Sequence, residues 1–382
     1  MRSSPPPIPA RAATTTSSTA PGRQVSFLFA WARFAVINTG SIALLGFVLG
    51  DYANRVLDLG PQGPALDALA AIAALTLFNL KSMYENAGAD YAMTGLEVAG
   101  VLIIAAAGVA LVIAGTPPLT ADAPPAAGVP AGIGLALVFV LLAFGGWSEI
   151  ATLSAEVKDA RRGMVKALVL AILSITLLYL AANWAFWRGL GLEGLAASKA
   201  PAADLMAQAF GEAAGIITAI AIALATITSI NATIVVGART TFAAAADWPA
   251  LGAIGRWDGA RGIPLRAILA QSAVAILLVG YGAMSYDGFQ ALVDYTAPVF
   301  WLFMLLSGLG VIVLRLRDPE APRPFMVPLY PVLPLVFAAS SVFMLWSSTV
   351  YVADTYGRAG PMMSLAVLAA GVIVMLMLRR TR

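Results

Sequence analysis

The chain has 382 residues, of which 60% are hydrophobic and only 11% charged, with a mean hydropathy of +0.86 and a net charge of +3. That balance excludes an ordinary soluble domain and describes a polytopic membrane protein. Cysteine and histidine are both absent, which removes disulfides, thiol nucleophiles, histidine-containing triads and the usual zinc sites, while the small charge, dispersed beside hydrophobic runs, gives nucleic-acid binding no support.

Residues 1–25, with Ser3-Ser4-Pro5-Pro6-Pro7 and Thr14-Thr15-Thr16-Ser17-Ser18, carry no hydrophobic periodicity and are expected to form a disordered cytoplasmic tail. No secretory hydrophobic region precedes the first full span. Ten apolar stretches follow, each long enough for a helix of roughly 20 residues across the hydrocarbon core: 26–50, 64–83, 92–115, 132–155, 164–187, 213–238, 264–284, 288–314, 326–351 and 360–378. With the N-terminus inside, the outer side keeps only Arg55, Arg188, Lys199 and Arg358, whereas the inner side collects the arginines of the tail, the 158–166 loop, the 239–266 loop and the C-terminus. This asymmetry places both termini in the cytoplasm. Thr116 to Pro130 reads as an outer connection, 188–212 as an outer segment with room for a short surface helix, and 239–263 as a longer inner loop containing Trp248-Pro249.

Several residues inside the spans are costly there and carry the functional reading. Arg33, in the first span, is expected near the inner face, snorkelling or paired. Glu97 lies about six residues, or roughly 9 Å, into the third span; it is a proton-coupling candidate if its pKa is raised by desolvation, or a static partner of Arg33 or Lys81. In the fourth span, Leu141-Leu142-Ala143-Phe144-Gly145-Gly146-Trp147-Ser148-Glu149 sets a Gly-Gly pair and a carboxylate inside an apolar run. Gly145 and Gly146 either let neighbouring helices approach closely or break the helix and turn its freed amides and carbonyls toward a substrate path, with Phe144 and Trp147 packed beside it. Glu149 either lines an inner vestibule or caps a neighbouring helix. Glu156, Lys158, Asp159, Arg161 and Arg162 form a charged inner loop. The sixth span carries Thr226, Thr228, Ser229, Asn231 and Thr233, enough oxygens for a sodium site to be considered. The eighth holds Asp294, Tyr295 and Thr296, whose polar groups lie at the depth of a binding site.

Phe144-Gly145-Gly146-Trp147-Ser148-Glu149 with Ser154-Ala155-Glu156-Val157-Lys158-Asp159, then Gly237-Ala238-Arg239, Asp294-Tyr295-Thr296-Ala297-Pro298-Val299-Phe300-Trp301 and Arg323-Pro324-Phe325, resemble in order and spacing the amino-acid permeases of the amino acid–polyamine–organocation superfamily. The resemblance runs from about residue 26 to the C-terminus. It implies an all-α integral membrane protein with a LeuT-like inverted-repeat bundle of about ten helices, N-terminally truncated in that the family's first two helices have no counterpart. On that register, 26–382 is the permease domain: 26–115 is the remainder of the first repeat, 132–314 the second repeat, and 326–378 two additional helices. The resemblance further implies that Asn38 and Thr39 join Phe144, Gly145, Gly146, Trp147 and Thr296 around the substrate, and that Glu149 and Glu156 belong to an inner gate or vestibule. Some proton-coupled relatives place a lysine where Glu97 stands, so the charge here has the opposite sign.

The expected activity is secondary transport of an amino acid or related amine by alternating access, as proton-linked symport or exchange, in the plasma membrane and most naturally a bacterial inner membrane. No cofactor is expected, H+ is the coupling ion placed first and Na+ second, and an enzyme is disfavoured because no paired catalytic set is visible. Two other readings stand beside it: a truncated or mis-started permease without transport activity, and a membrane scaffold or interaction subunit. The word "amino acid" rests on analogy of fold.

Overall fold

A computed structural model describes residues 20–81, 87–119, 133–146, 160–246, 248, 251–259, 261–285, 287–320 and 326–380, with the backbone alone at 20–23, 87–93, 160–165 and 379–380. Trp147, Glu149 and Glu156 lie outside the described residues, as do 1–19 of the tail and most of the 116–130 connection. Helices dominate throughout, and among the described residues the sole strand-like pairing is an isolated bridge between Asp258 and Ile263.

The first span is built from α1 (Ala20–Ala32), a π-helical turn (Arg33–Ile37) and α2 (Asn38–Val56). Its helix starts at Ala20, ahead of the expected end of the tail, with Pro21 in the first turn, where a missing N–H leaves no helical bond unmade. Phe27 anchors it by packing edge-on against Trp248 at 4.8 Å between ring centroids. Helices α3 (Gly63–Asn79), α4 (Ala87–Ile113), α5 (Ile133–Ala143) and α6 (Ala160–Ala197, interrupted at Gly191) come next. The short α7 (Pro201–Phe210) occupies the outer segment expected to hold a surface helix. Then come α8 (Glu212–Ala246), α9 (Leu265–Ala283), α10 (Gly288–Arg317), α11 (Val332–Tyr356) and α12 (Ala359–Arg380).

Among the described residues, eight segments are long and apolar enough to cross a membrane, and α3 and α5 are shorter apolar helices; together they fall on the ten expected spans. In the fourth, the helix stops at Ala143, and 147–155 of the expected span lie outside the described residues. The 239–263 loop is also shorter than expected, because α8 runs on to Ala246. Leu170, Leu173, Leu177 and Leu180 of α6 are exposed, as residues facing hydrocarbon should be.

The main core joins α2, α3, α8 and α9 through fully buried Ile42, Ile72, Ile230, Ile234 and Ile268. A second cluster sets α10 against α5 and α11 through Val138, Trp301 and Met344, and a third sets it against α1, the π turn and α12 through Val36, Tyr295 and Phe303. Helix α10 is therefore the hub between these groups. Its approach to α2 depends on Gly40, where any Cβ would collide with Cγ2 of Thr296. Small residues permit this kind of contact between membrane helices.

At one end of the bundle, charged residues tie the elements together outside the apolar region. Arg55 reaches Asp204 of α7 at 3.3 Å and Glu212 of α8 at 2.7 Å. Lys199 pairs with Asp287, which also caps α10 by accepting from the Gln290 backbone N–H at 3.0 Å. Burial pushes the Asp287 carboxyl up, but the Lys199 ammonium and the N–H groups of Gln290 and Phe289 outweigh it and hold the pKa below the ordinary value.

Two outcomes follow for thermal unfolding in detergent. Gly40→Ala should destabilise by about 1–3 kcal/mol through overpacking, and adding Thr296→Ser, which deletes the colliding methyl, should restore most of the loss. Because the Asp287 carboxyl is more acidic folded than unfolded, its contribution is full above the unfolded value of 3.8 and declines as pH falls through the lower folded value. Asp287→Ala should therefore cost about 1 kcal/mol near neutral pH as a lost cap and shrink the acid-induced loss of stability.

Candidate functional site

The site begins where backbone leaves the α-helical ladder. In α5 the ladder ends at Ala143, the Gly145 N–H turns back to the Leu142 carbonyl at 2.9 Å, and Gly146 adopts φ +91°. A positive φ of this kind is open to glycine and strained for other residues. The Gly-Gly pair therefore breaks the helix, and Gly146 makes no close packing contact: a Cβ there would meet nothing within 4 Å. The Ala143 carbonyl at the break accepts from the Tyr179 hydroxyl of α6 at 3.0 Å, and Phe144 leans edge-on against the same ring, with centroids 5.2 Å apart.

The second irregularity is the π turn. The Asn38 N–H bonds the Arg33 carbonyl, one residue further back than in an α-helix, and the Tyr295 hydroxyl of α10 donates to the Ala35 carbonyl at 3.0 Å. The third lies in α10, where Pro298 has no N–H to offer the Asp294 carbonyl.

Between these three places lies a cavity of about 1230 Å³, walled by the π turn, α2, α5, α8, α10 and the start of α11. It brings together Asn38, Gly145, Gly146 and Thr296 of the sequence-derived set. Thr39 and Phe144 are not on its wall. Thr39 is fully buried, and its Oγ1 has no hydrogen-bond partner among the described residues. Glu97 lies exposed on α4, away from the cavity.

Arg33, which sequence reasoning did not assign to the site, is on the cavity wall. Of the two expectations, snorkelling or pairing, it meets the second, and it is 7% exposed. Its Nη2 donates to Asn38 Oδ1 at 3.4 Å, and its guanidinium stands 5.9 Å from the Phe29 ring centroid. The π turn accounts for this, because one extra residue rotates the preceding segment by about a quarter turn relative to a regular helix. Asn38 in turn donates to Thr240 of α8 at 3.4 Å. Ser229 and Thr233 of α8 also line the cavity, yet the hydroxyls of Thr226, Thr228, Ser229 and Thr233 all donate to carbonyls of their own helix, and Asn231 accepts from Asn79 of α3 at 2.7 Å. Such back-bonding is the ordinary use of a hydroxyl inside a helix. Among the described residues, no three His, Cys, Asp or Glu side chains gather into a group that could hold a metal.

A family model described as amino acid permease matches residues 12–377. The chain belongs to the amino acid permease family. Within it, the chain is 26% identical over 324 residues to the human protein named b(0,+)-type amino acid transporter 1, covering 84% of this chain and 65% of that one. It is 28% identical over 220 residues to the mouse protein named large neutral amino acids transporter small subunit 2, covering 57% of this chain and 40% of that one. It thus spans less than two thirds of the length of these relatives.

Sequence reasoning picked out the break together with Asn38 and Thr296 of this permease cavity, but did not place Arg33, Ser41 or the aromatic surface of Phe29, Phe300 and Trp301 on its wall. Arg33 and Asn38, a cation and an amide five residues apart in one span, were the signal available. Tyr179→Phe should remove the hydroxyl from the exposed Ala143 carbonyl and cost about 1 kcal/mol of stability, the usual net worth of one hydrogen bond; thermal unfolding in detergent measures it.

Proposed function

We propose that the chain moves amino acids across a membrane by alternating access, with H+ as the coupling ion, and that the cavity at the three helix irregularities holds the substrate. The single observation that carries this reading is that groups of opposite electrostatic sign line one cavity. Arg33, supported by Asn38, supplies a guanidinium suited to a carboxylate. The C-terminal end of α5, Leu141 to Ala143, presents the negative end of a helix to the same space, which favours an ammonium. A free amino acid carries both groups. Phe29, Leu44, Phe300 and Trp301 give its side chain an apolar surface.

Family membership and the names of the relatives support amino acids as the substrate class. The apolar helices support a multi-pass membrane location, and the distribution of basic residues supports cytoplasmic termini in a plasma membrane. Trp147, directly after the break, remains a candidate for contact with the substrate, and Glu149 and Glu156 further along remain candidates for the gate or vestibule on the inner side.

The test is uptake of radiolabelled amino acids by the purified protein in proteoliposomes. Saturable uptake of at least one amino acid is expected. Arg33→Gln, which keeps the polar volume and removes the charge, should raise KM by about tenfold or more, equivalent to the 1.5–3 kcal/mol of a hydrogen bond to a charged group, with a smaller effect on an amine lacking a carboxylate. Equal loss for both ligands would remove Arg33 from carboxylate binding, and no saturable uptake of any amino acid would contradict the transport reading.

A further inference from the structure

Asp294 belongs to none of the cavity interactions described above. It is 4% exposed, within the apolar span of α10, and both its carboxylate oxygens rest on neutral donors. The Gln290 amide donates to Oδ1 at 2.8 Å and the Tyr356 hydroxyl to Oδ2 at 3.0 Å. Among the described residues no cation pairs with it. The other titratable groups facing it are Tyr281 of α9 and Asp287 two turns earlier on α10, the latter held by Lys199. An ionised carboxylate at such a depth without a cation is expensive, and its neutral form is not.

The local chemistry accepts both forms. Tyr356 donates to the ionised carboxylate, and by rotating its hydroxyl it accepts from the protonated acid, while the Gln290 amide stays on the other oxygen. A proton can therefore arrive or leave without a side chain being displaced. Tyr356 is the last residue of α11 and partly exposed, so the pair connects the buried carboxyl with the end of a span.

The position of Asp294 links that proton to the cavity. Its own backbone carbonyl is the one that Pro298 leaves without a helical donor, which makes this turn the place where α10 bends most readily. Thr296, Ala297 and Phe300, on the same stretch, line the cavity.

We propose that Asp294 is the proton-binding site of this permease: a proton from water binds Oδ2 by way of the Tyr356 end, and returns to water after α10 has flexed at Pro298 and reshaped the cavity wall. The assignment rests on the proton-linked transport proposed above and names the group that carries the proton.

The experiment compares wild type with Asp294→Asn, which keeps the shape and the acceptor oxygen for one donor but cannot ionise. In proteoliposomes, Asp294→Asn should lose uptake driven by a pH gradient and keep exchange of substrate across membranes loaded equally on both sides. Asp294→Glu should recover gradient-driven uptake with a displaced pH profile. Infrared difference spectra of the wild type on acidification should contain a carboxyl band that Asp294→Asn lacks. Retained gradient-driven uptake in Asp294→Asn would overturn the assignment, as would loss of coupling in Glu97→Gln alone, or loss of exchange in an Asp294→Asn protein that remains monodisperse. A wild type that neither takes up nor exchanges any amino acid would contradict the transport reading instead, and the infrared band would still decide whether Asp294 binds the proton.

Discussion

Hydrocarbon offers no partner to a backbone N–H or C=O, so every departure from the α-helical ladder inside the apolar spans has to be met by protein or by an aqueous cavity. Among the described residues, three such departures surround one space. The carbonyl at the end of α5 is met by Tyr179, and the π-turn carbonyl of Ala35 by Tyr295. The third, freed by Pro298, lies in the turn of α10 that lines the cavity. Tyrosine suits this role because its ring packs in an apolar core while its hydroxyl reaches a carbonyl.

The distribution of charge follows the same constraint. Arg55, Asp204, Glu212, Lys199 and Asp287 pair with one another at the ends of elements, where water screens them and the energetic return of each pair is small. Arg33 and Asp294 are buried instead, one on the π turn and the other on α10, two elements that pack against each other. Tyr295 stands beside Asp294 in sequence and bonds the carbonyl of Ala35, two residues from Arg33. A change in α10 is therefore felt directly at the helix that carries the cation. The close approach of Gly40 to Thr296 keeps those two helices in register.

The spans were legible in the sequence because lipid demands long apolar helices, and hydropathy records that demand directly. The break was legible for a related reason: Gly145-Gly146 interrupts a run of helix-forming apolar residues, and the helix stops two residues before the pair. The site was legible only in part. Asn38 and Thr39 are adjacent in sequence, so they point about 100° apart around a helix, and only Asn38 reaches the cavity. Choosing between them requires the phase of the helix, and the π turn alters that phase without a sequence signature of its own. The same shift carries Arg33 from an expected interfacial position into the cavity wall. Asp294 was noticed as a polar residue at depth, but its partner Tyr356 lies 62 residues away, beyond the reach of local pattern.

The central claim is that the space between the three irregularities is an aqueous cavity that takes up an amino acid. The chain contains no cysteine, so single cysteines can be introduced without a background. The most direct measurement is the rate at which a polar, membrane-impermeant maleimide modifies Ser41→Cys and Thr233→Cys, both on the cavity wall, with and without substrate amino acid, against Leu177→Cys on the exposed apolar face of α6. Rapid modification at the two wall positions, slowed by the amino acid, with Leu177→Cys unreactive, is the result predicted. Wall positions as unreactive as Leu177→Cys, or modified at a rate no amino acid changes, would contradict the account.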